Sequence, residues 1–305
     1  MLVGTTHYAY GATVRVSDDD GKTWTQPDGQ PRYAEDSPYK VNRIWELIAA
    51  PGGRLYTGVD EAALFASDDR GQSWHEVTGL TRHHSRPHWY AGGGGLCLHT
   101  ILVHPSDPRT VWVGISAVGL FRTRDGGETW HSLNMTLPGV PTGSNHEDAV
   151  CCVHRVALDP ADPDALYMQY HGGVLRSADG GDTWTPIENG LPGNFGFPMV
   201  VTPSRRLVIV PLESENTRYV KEGRLRVFAS DDRGDSWRAS ETGLPNDPRY
   251  VGVLRSAMAA DTRSELIAFG TTLGEVYVSP DAGRSWSAIP GQFQRVMHVS
   301  ISNEA

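Results

Sequence analysis

Histidine is the residue whose placement in this chain most invites chemistry. There are 12 in 305 residues, and His99, His154, His171 and His298 fall at matched positions of strand-like segments far apart in sequence. Imidazole is the usual protein ligand for Zn, Fe, Cu or Ni, so a convergent set of four predicts a bound transition metal ion. Asp60 and Glu213 add carboxylates fit to be a ligand, an orienter of a ligand, or a general base. Arg255 supplies a guanidinium suited to an anionic substrate group. Cys97 and Cys152 each stand two residues before a histidine, and the bland alternative for both is a small half-buried side chain.

Such residues act together only if the fold converges them, and a repeat indicates that it does. The octapeptide Ser/Thr-x-Asp-x-Gly-x-Ser/Thr-Trp begins at Ser17, Ser67, Thr123, Ser177, Ser230 and Ser279, with intervals of 50, 56, 54, 53 and 49 residues. That period suits a four-stranded antiparallel blade. In each copy the Asp is placed to accept turn amides, the Gly to take a positive φ, and the Trp to pack into the following strand. The expectation is an all-β, six-bladed β-propeller in a single domain, 1–305. Its blades fall at 296–302 plus 1–27, 41–78, 95–134, 150–188, 195–240 and 251–289, and the C-terminal strand closes the blade that the N-terminus begins.

Repeats of a propeller superimpose, so equal ordinal positions form rings about the axis. Counting back from the end of each inner strand gives Trp45, His99, His154, Phe197, Arg255 and His298. Two residues earlier stand Arg43, Cys97, Cys152, Phe195, Val253 and Val296, on the same side of each strand if the alternation is regular. The ends of the second strands give Thr6, Asp60, Ser116, His171, Glu213 and Thr272. Three long connections reach the same face: 83–95, whose His88, Trp89 and Tyr90 are placed to cap a ligand, 139–150, and 215–223. Trp45, Arg43 and Phe197 complete the expected substrate pocket.

The octapeptides, SADGGDTW at Ser177–Trp184 among them, resemble those of the Asp-box, or bacterial neuraminidase repeat, superfamily. The chain is also similar to bacterial propellers labelled sialidase-like or glycosyl-hydrolase-like. The resemblance covers nearly the whole chain and implies the propeller fold. For function it implies several classes, since such propellers include sialidases, glucanases, sorting receptors and photosystem assembly factors. A sialidase needs three arginines and a tyrosine nucleophile, and Arg43 and Arg255 supply two of the three, with no tyrosine on the inner rings.

The leading expectation is a metal-dependent enzyme. Its metal sits on the histidines, Glu213, Asp60 and Arg255 are its catalytic residues, and it acts hydrolytically or oxidatively on a small molecule. The alternatives are a non-catalytic binding or assembly-factor propeller and a glycoside hydrolase using Asp60 and Glu213. A net charge of −9 with only three lysines argues against nucleic acid and anionic membrane as partners. Three cysteines, two of them adjacent, and a start without a signal-like segment suggest a reducing, cytoplasmic setting.

Overall fold

The computed structural model describes residues 1–7, 9–138 and 151–302. The connection 139–150, expected to reach the site, lies outside them.

The chain forms a two-stranded sheet, β1 (Leu2–His7) and β2 (Gly11–Val16), followed by five four-stranded antiparallel sheets. These are β3 (Arg43–Ala49), β4 (Leu55–Asp60), β5 (Leu64–Ser67) and β6 (His75–Glu76); β7 (Leu98–His104), β8 (Asp107–Ile115), β9 (Gly119–Thr123) and β10 (His131–Ser132); β11 (Val153–Asp159), β12 (Asp162–Tyr170), β13 (Gly173–Ser177) and β14 (Thr185–Pro186); β15 (Gly196–Val201), β16 (Leu207–Pro211), β17 (Val227–Ser230) and β18 (Arg238–Ser240); and β19 (Met258–Ala260), β20 (Ile267–Gly270), β21 (Val276–Ser279) and β22 (Ser287–Ala288). Each sheet is a propeller blade, hydrogen-bonded in chain order. Two compact units result. One holds residues 1–135 with 151–153, and the other holds 136–138 and the described residues from His154 onward.

The second and third strands of the blades are near-continuous apolar runs, such as LVIVP in β16, because both of their faces are covered. The outer strands have only two or three residues and are mostly exposed. Six turns share one design, and five of them tie these short strands on. In the first, Asp19 accepts from the Thr23 amide (2.8 Å) and hydroxyl (2.6 Å) and from the Ser17 hydroxyl (2.8 Å), while the Ser17 hydroxyl takes the Gly21 amide at 2.8 Å. The same knot recurs at Asp69, Asp125, Asp179, Asp232 and Asp281. The fifth position has φ between 79° and 102° in all six copies, which is why it is glycine.

Two expectations are corrected here. Five blades form rather than six, because the N-terminal sheet has only β1 and β2, extended by a bridge between Val16 and Thr25. Residues 296–302 form no strand, so they do not supply the closing pairing. Their amides at Val296 and Val299 donate to Thr271 and Ser256 instead.

In the second unit a buried ion pair joins neighbouring blades. One oxygen of Asp159, wholly buried, accepts from Arg205 Nε (3.0 Å) and Nη2 (2.8 Å) and from the Tyr167 hydroxyl (3.1 Å). Asp159→Ala leaves these donors unmatched and is expected to cost about 3 kcal/mol, read from the midpoint of denaturant unfolding. The box carboxylates predict acid sensitivity. The hydroxyls of Thr23, Ser73 and Ser236, together with turn amides, hold Asp19, Asp69 and Asp232 down at about 2. A carboxylate lowered by folding contributes stability that is present above its unfolded value and lost as pH falls through the folded one. The melting temperature should therefore drop steeply between about pH 4 and pH 2, and less steeply in Asp69→Asn.

Candidate functional site

In the first unit Asp60 is the unusual group. It ends β4 and pairs across to Arg43, its carbonyl accepts the Asn42 amide at 2.6 Å, and a bridge connects its backbone to Cys97. Its half-buried carboxyl has no hydrogen-bond partner among the described residues. Burial raises its pKa, a rise that Arg43 opposes and Glu61 reinforces. Gly95, at φ 94°, lies close enough that a Cβ there would come within 3.3 Å of Asp60 Oδ2. The Tyr33 hydroxyl and Arg86 Nη2 both grip the Glu61 carbonyl, fixing the chain immediately after Asp60. Arg86 is itself stacked on Tyr39 and Trp89, 4.2 and 4.7 Å from the ring centroids.

The aligned inner-strand positions behave differently from expectation. The ladder register slips between Ile44 and Glu46, between Leu98 and Thr100, and between Gly196 and Met199. Trp45, His99 and Phe197 thus sit in bulges, which re-aim a side chain and break regular alternation. His99 is fully buried with Nδ1 3.0 Å from Thr100 Oγ1 and Nε2 3.0 Å from the Val153 carbonyl. A carbonyl can only accept, so Nε2 carries the proton and Nδ1 takes the hydroxyl. Neither nitrogen is left for a metal. Trp45 Nε1 is buried without a hydrogen-bond partner among the described residues.

Of the expected capping residues, Trp89 belongs to the core, donating to Ser85 Oγ at 2.9 Å and packing on Phe121, whereas His88 is half-buried and Tyr90 exposed. Cys97 is buried, and Cys152 Sγ lies 3.8 Å from Ser116 Oγ. None of the three cysteines forms a disulfide, and burial pushes Cys151 up to about 12.

The second unit brings together His154, His171, Phe195 and Phe197. The His154 ring centroid lies 5.7 Å from His171, 5.1 Å from Phe195 and 4.9 Å from Phe197. His154 Nδ1 meets the Gly196 carbonyl at 2.6 Å. Burial, and next the charge of Arg255, lowers its pKa to about 3, so the ring is neutral. His171 Nε2 pairs with Glu215 at 2.6 Å. The guanidinium carbons of Arg255 and Arg218 stand 5.2 and 5.8 Å from the Phe197 ring centroid. Glu213 is held ionised by the Glu222 amide (3.2 Å) and by Lys221 Nζ (3.1 Å). His298 is exposed in the C-terminal segment. The sequence pointed to Arg218 only as part of a long insertion and did not single out Glu215. Their signal was the length of that insertion beside an aromatic inner strand.

Comparison with known proteins bears on what this chemistry serves. The chain is 26% identical over 234 residues to a xyloglucanase of a Paenibacillus species, a match covering 66% of this chain and 22% of that one. Other curated relatives it matches are also xyloglucanases, and it spans about a quarter of their length. Among solved structures, it superposes on the GH74 enzyme of Niastella koreensis with a TM-score of 0.61 at 18% identity, covering 94% of this chain and 43% of the other. It superposes on the Swd1 β-propeller domain of Myceliophteria thermophila with a TM-score of 0.60 at 14% identity, covering 96% and 84%. No protein-family model matches. The relatives support a glycosyl-hydrolase-like propeller and overturn the expectation of a metal-dependent enzyme, for which His99 also lacks a ring nitrogen to offer.

If His99 is a structural residue, His99→Ala should remove two hydrogen bonds and leave a cavity, costing about 2 to 4 kcal/mol of stability in urea unfolding. The bound-metal content measured by elemental mass spectrometry should not differ between this variant and the parent.

Proposed function

We propose that this chain is a glycoside-hydrolase-type propeller acting on oligosaccharides, with Asp60 as its proton donor. The observation that carries the reading is the xyloglucanase similarity, which extends over two thirds of the chain. The chemistry of Asp60 agrees with it. Cleaving a glycosidic bond requires a carboxylic acid that still holds its proton near neutrality, so that it can protonate the departing oxygen. Desolvation moves a carboxyl in that direction, and here Arg43 tempers the rise rather than reversing it. A half-buried carboxyl left without hydrogen-bond partners among the described residues is costly to the fold, and such groups concentrate at sites of function.

Release of reducing ends from xyloglucan, mixed-linkage β-glucan and xylan oligosaccharides tests this. Asp60→Asn is expected to lower kcat by about 10²- to 10⁴-fold on whichever substrate is cleaved, and wild-type activity should fall as pH rises through the elevated pKa of Asp60. The same change should raise the melting temperature at neutral pH. A carboxyl whose pKa is raised by folding contributes stability below its unfolded pKa that is lost as pH rises through the folded one, and the amide escapes this loss. A wild type that cleaves none of the three substrates, or an Asp60→Asn variant that cleaves as well as wild type, sinks the reading.

A further inference from the structure

Gly95 brings its backbone up against the Asp60 carboxyl. A Cβ there would stand 3.3 Å from Oδ2, 3.7 Å from Oδ1 and 3.8 Å from Cγ, so any side chain at residue 95 would be directed at both carboxyl oxygens. The residue has φ 94°, a conformation that glycine takes without strain. Its amide is the polar group that could have served Asp60. Instead it donates to the Gly92 carbonyl at 3.0 Å, and the two glycines form a bridge. Ala91 to Gly95 carry no side chain able to donate. On this side Asp60 therefore meets a backbone that displaces water without giving it a hydrogen bond.

The turn is seated at both ends. Gly92 lies on the connection between β8 and β9, where a Cβ would come within 3.0 Å of the Ala117 side chain. Ahead of the turn, buried Trp89 is bonded to Ser85. Behind it, the Leu96 carbonyl takes the Ala62 amide at 2.9 Å and the Cys97 backbone bridges to Asp60. These anchors hold Gly95 against the carboxyl. Burial is the chief influence on the Asp60 proton, with Arg43 on β3 opposing it and Glu61 reinforcing it.

We propose that the glycine turn 92–95 is the element that makes Asp60 a proton donor, with Gly95 as a positioning residue that closes one side of the carboxyl without offering it a hydrogen bond. This rests on the hydrolase reading above. The carboxyl holds its proton until the glycosidic oxygen arrives to take it. The carboxylate left behind has no donor to favour it and regains a proton from water between turnovers. Lack of a side chain is the working feature of position 95, since a hydroxyl there would reach the carboxylate, favour the ionised form and weaken the acid.

Carbon NMR of protein labelled at its aspartate carboxyls follows the Asp60 titration directly, with Asp60→Asn identifying the signal. Gly95→Ala and Gly95→Ser share the strain of a side chain at this φ and differ by one hydroxyl, and thermal melts check that both fold. The Asp60 midpoint is expected at least about one pH unit lower in Gly95→Ser than in Gly95→Ala, and the alkaline limb of oligosaccharide cleavage should move with it. Equal midpoints overturn the proposal. In the wild type the Gly95 amide proton should keep its chemical shift while Asp60 titrates, a measurement that needs no variant to fold. A downfield move at the Asp60 midpoint would mean that the amide donates to the carboxylate, and would equally overturn it. If Asp60→Asn abolishes cleavage while the two Gly95 variants titrate alike, the role of Gly95 falls and the hydrolase reading stands. If the midpoints separate as expected and no oligosaccharide is cleaved, the hydrolase reading falls and the turn still governs the Asp60 proton.

Discussion

One aspartate oxygen pair accepting an amide and two hydroxyls closes each of six turns, and the blades depend on that knot. Outer strands of two or three residues bury too little surface to stay in register by themselves. The turn fixes where the third strand ends and the outer one begins, through a left-handed pair of residues, the second a glycine whose amide is held by the leading hydroxyl. Once the outer half of a blade is secured in this way, the inner strand and the connections leading into it are relieved of a structural role. Asp60, His154 and Phe197 all lie on or next to that inner half.

The repeat made the blade plan legible in the sequence because its residues are local and each has a conformational duty. Site geometry was less legible, and the reason is physical. The alignment assumed that side chains two apart on an inner strand share a side, and bulges at Trp45, His99 and Phe197 break that rule where it was applied. A sequence also does not show which polar partners a side chain meets. His99 looks like a ligand until Thr100 and the Val153 carbonyl are found on its two nitrogens, and Trp89 looks like a ligand cap until its indole is found bonded to Ser85. Asp60 was legible as a carboxylate at the end of a second strand, but its desolvation was not. The pairing of His154 with Phe197 was legible, since both were placed in one ring and the fold sets their rings 4.9 Å apart.

Desolvation is also what separates the two expected catalytic carboxylates in kind. Glu213 has an amide and an ammonium beside it and stays ionised, whereas Asp60 has an arginine across the ladder but no hydrogen-bond donor among the described residues, and its proton is held more firmly. Identical chemistry in the sequence becomes opposite behaviour in the fold. The shift comes from what surrounds the group rather than from the group itself. Tyr33 and Arg86, which secure the carbonyl of the next residue, keep the Asp60 backbone from relaxing toward water.

The six turn aspartates have a further effect on how the molecule behaves in solution. Each has its charged form favoured by its turn, and together they are six of the 36 aspartates and glutamates that outnumber the 27 lysines and arginines. The folding motif therefore contributes one negative charge to each repeat. Such an evenly spaced charge keeps copies of the molecule apart, so colloidal solubility comes with the folding motif itself.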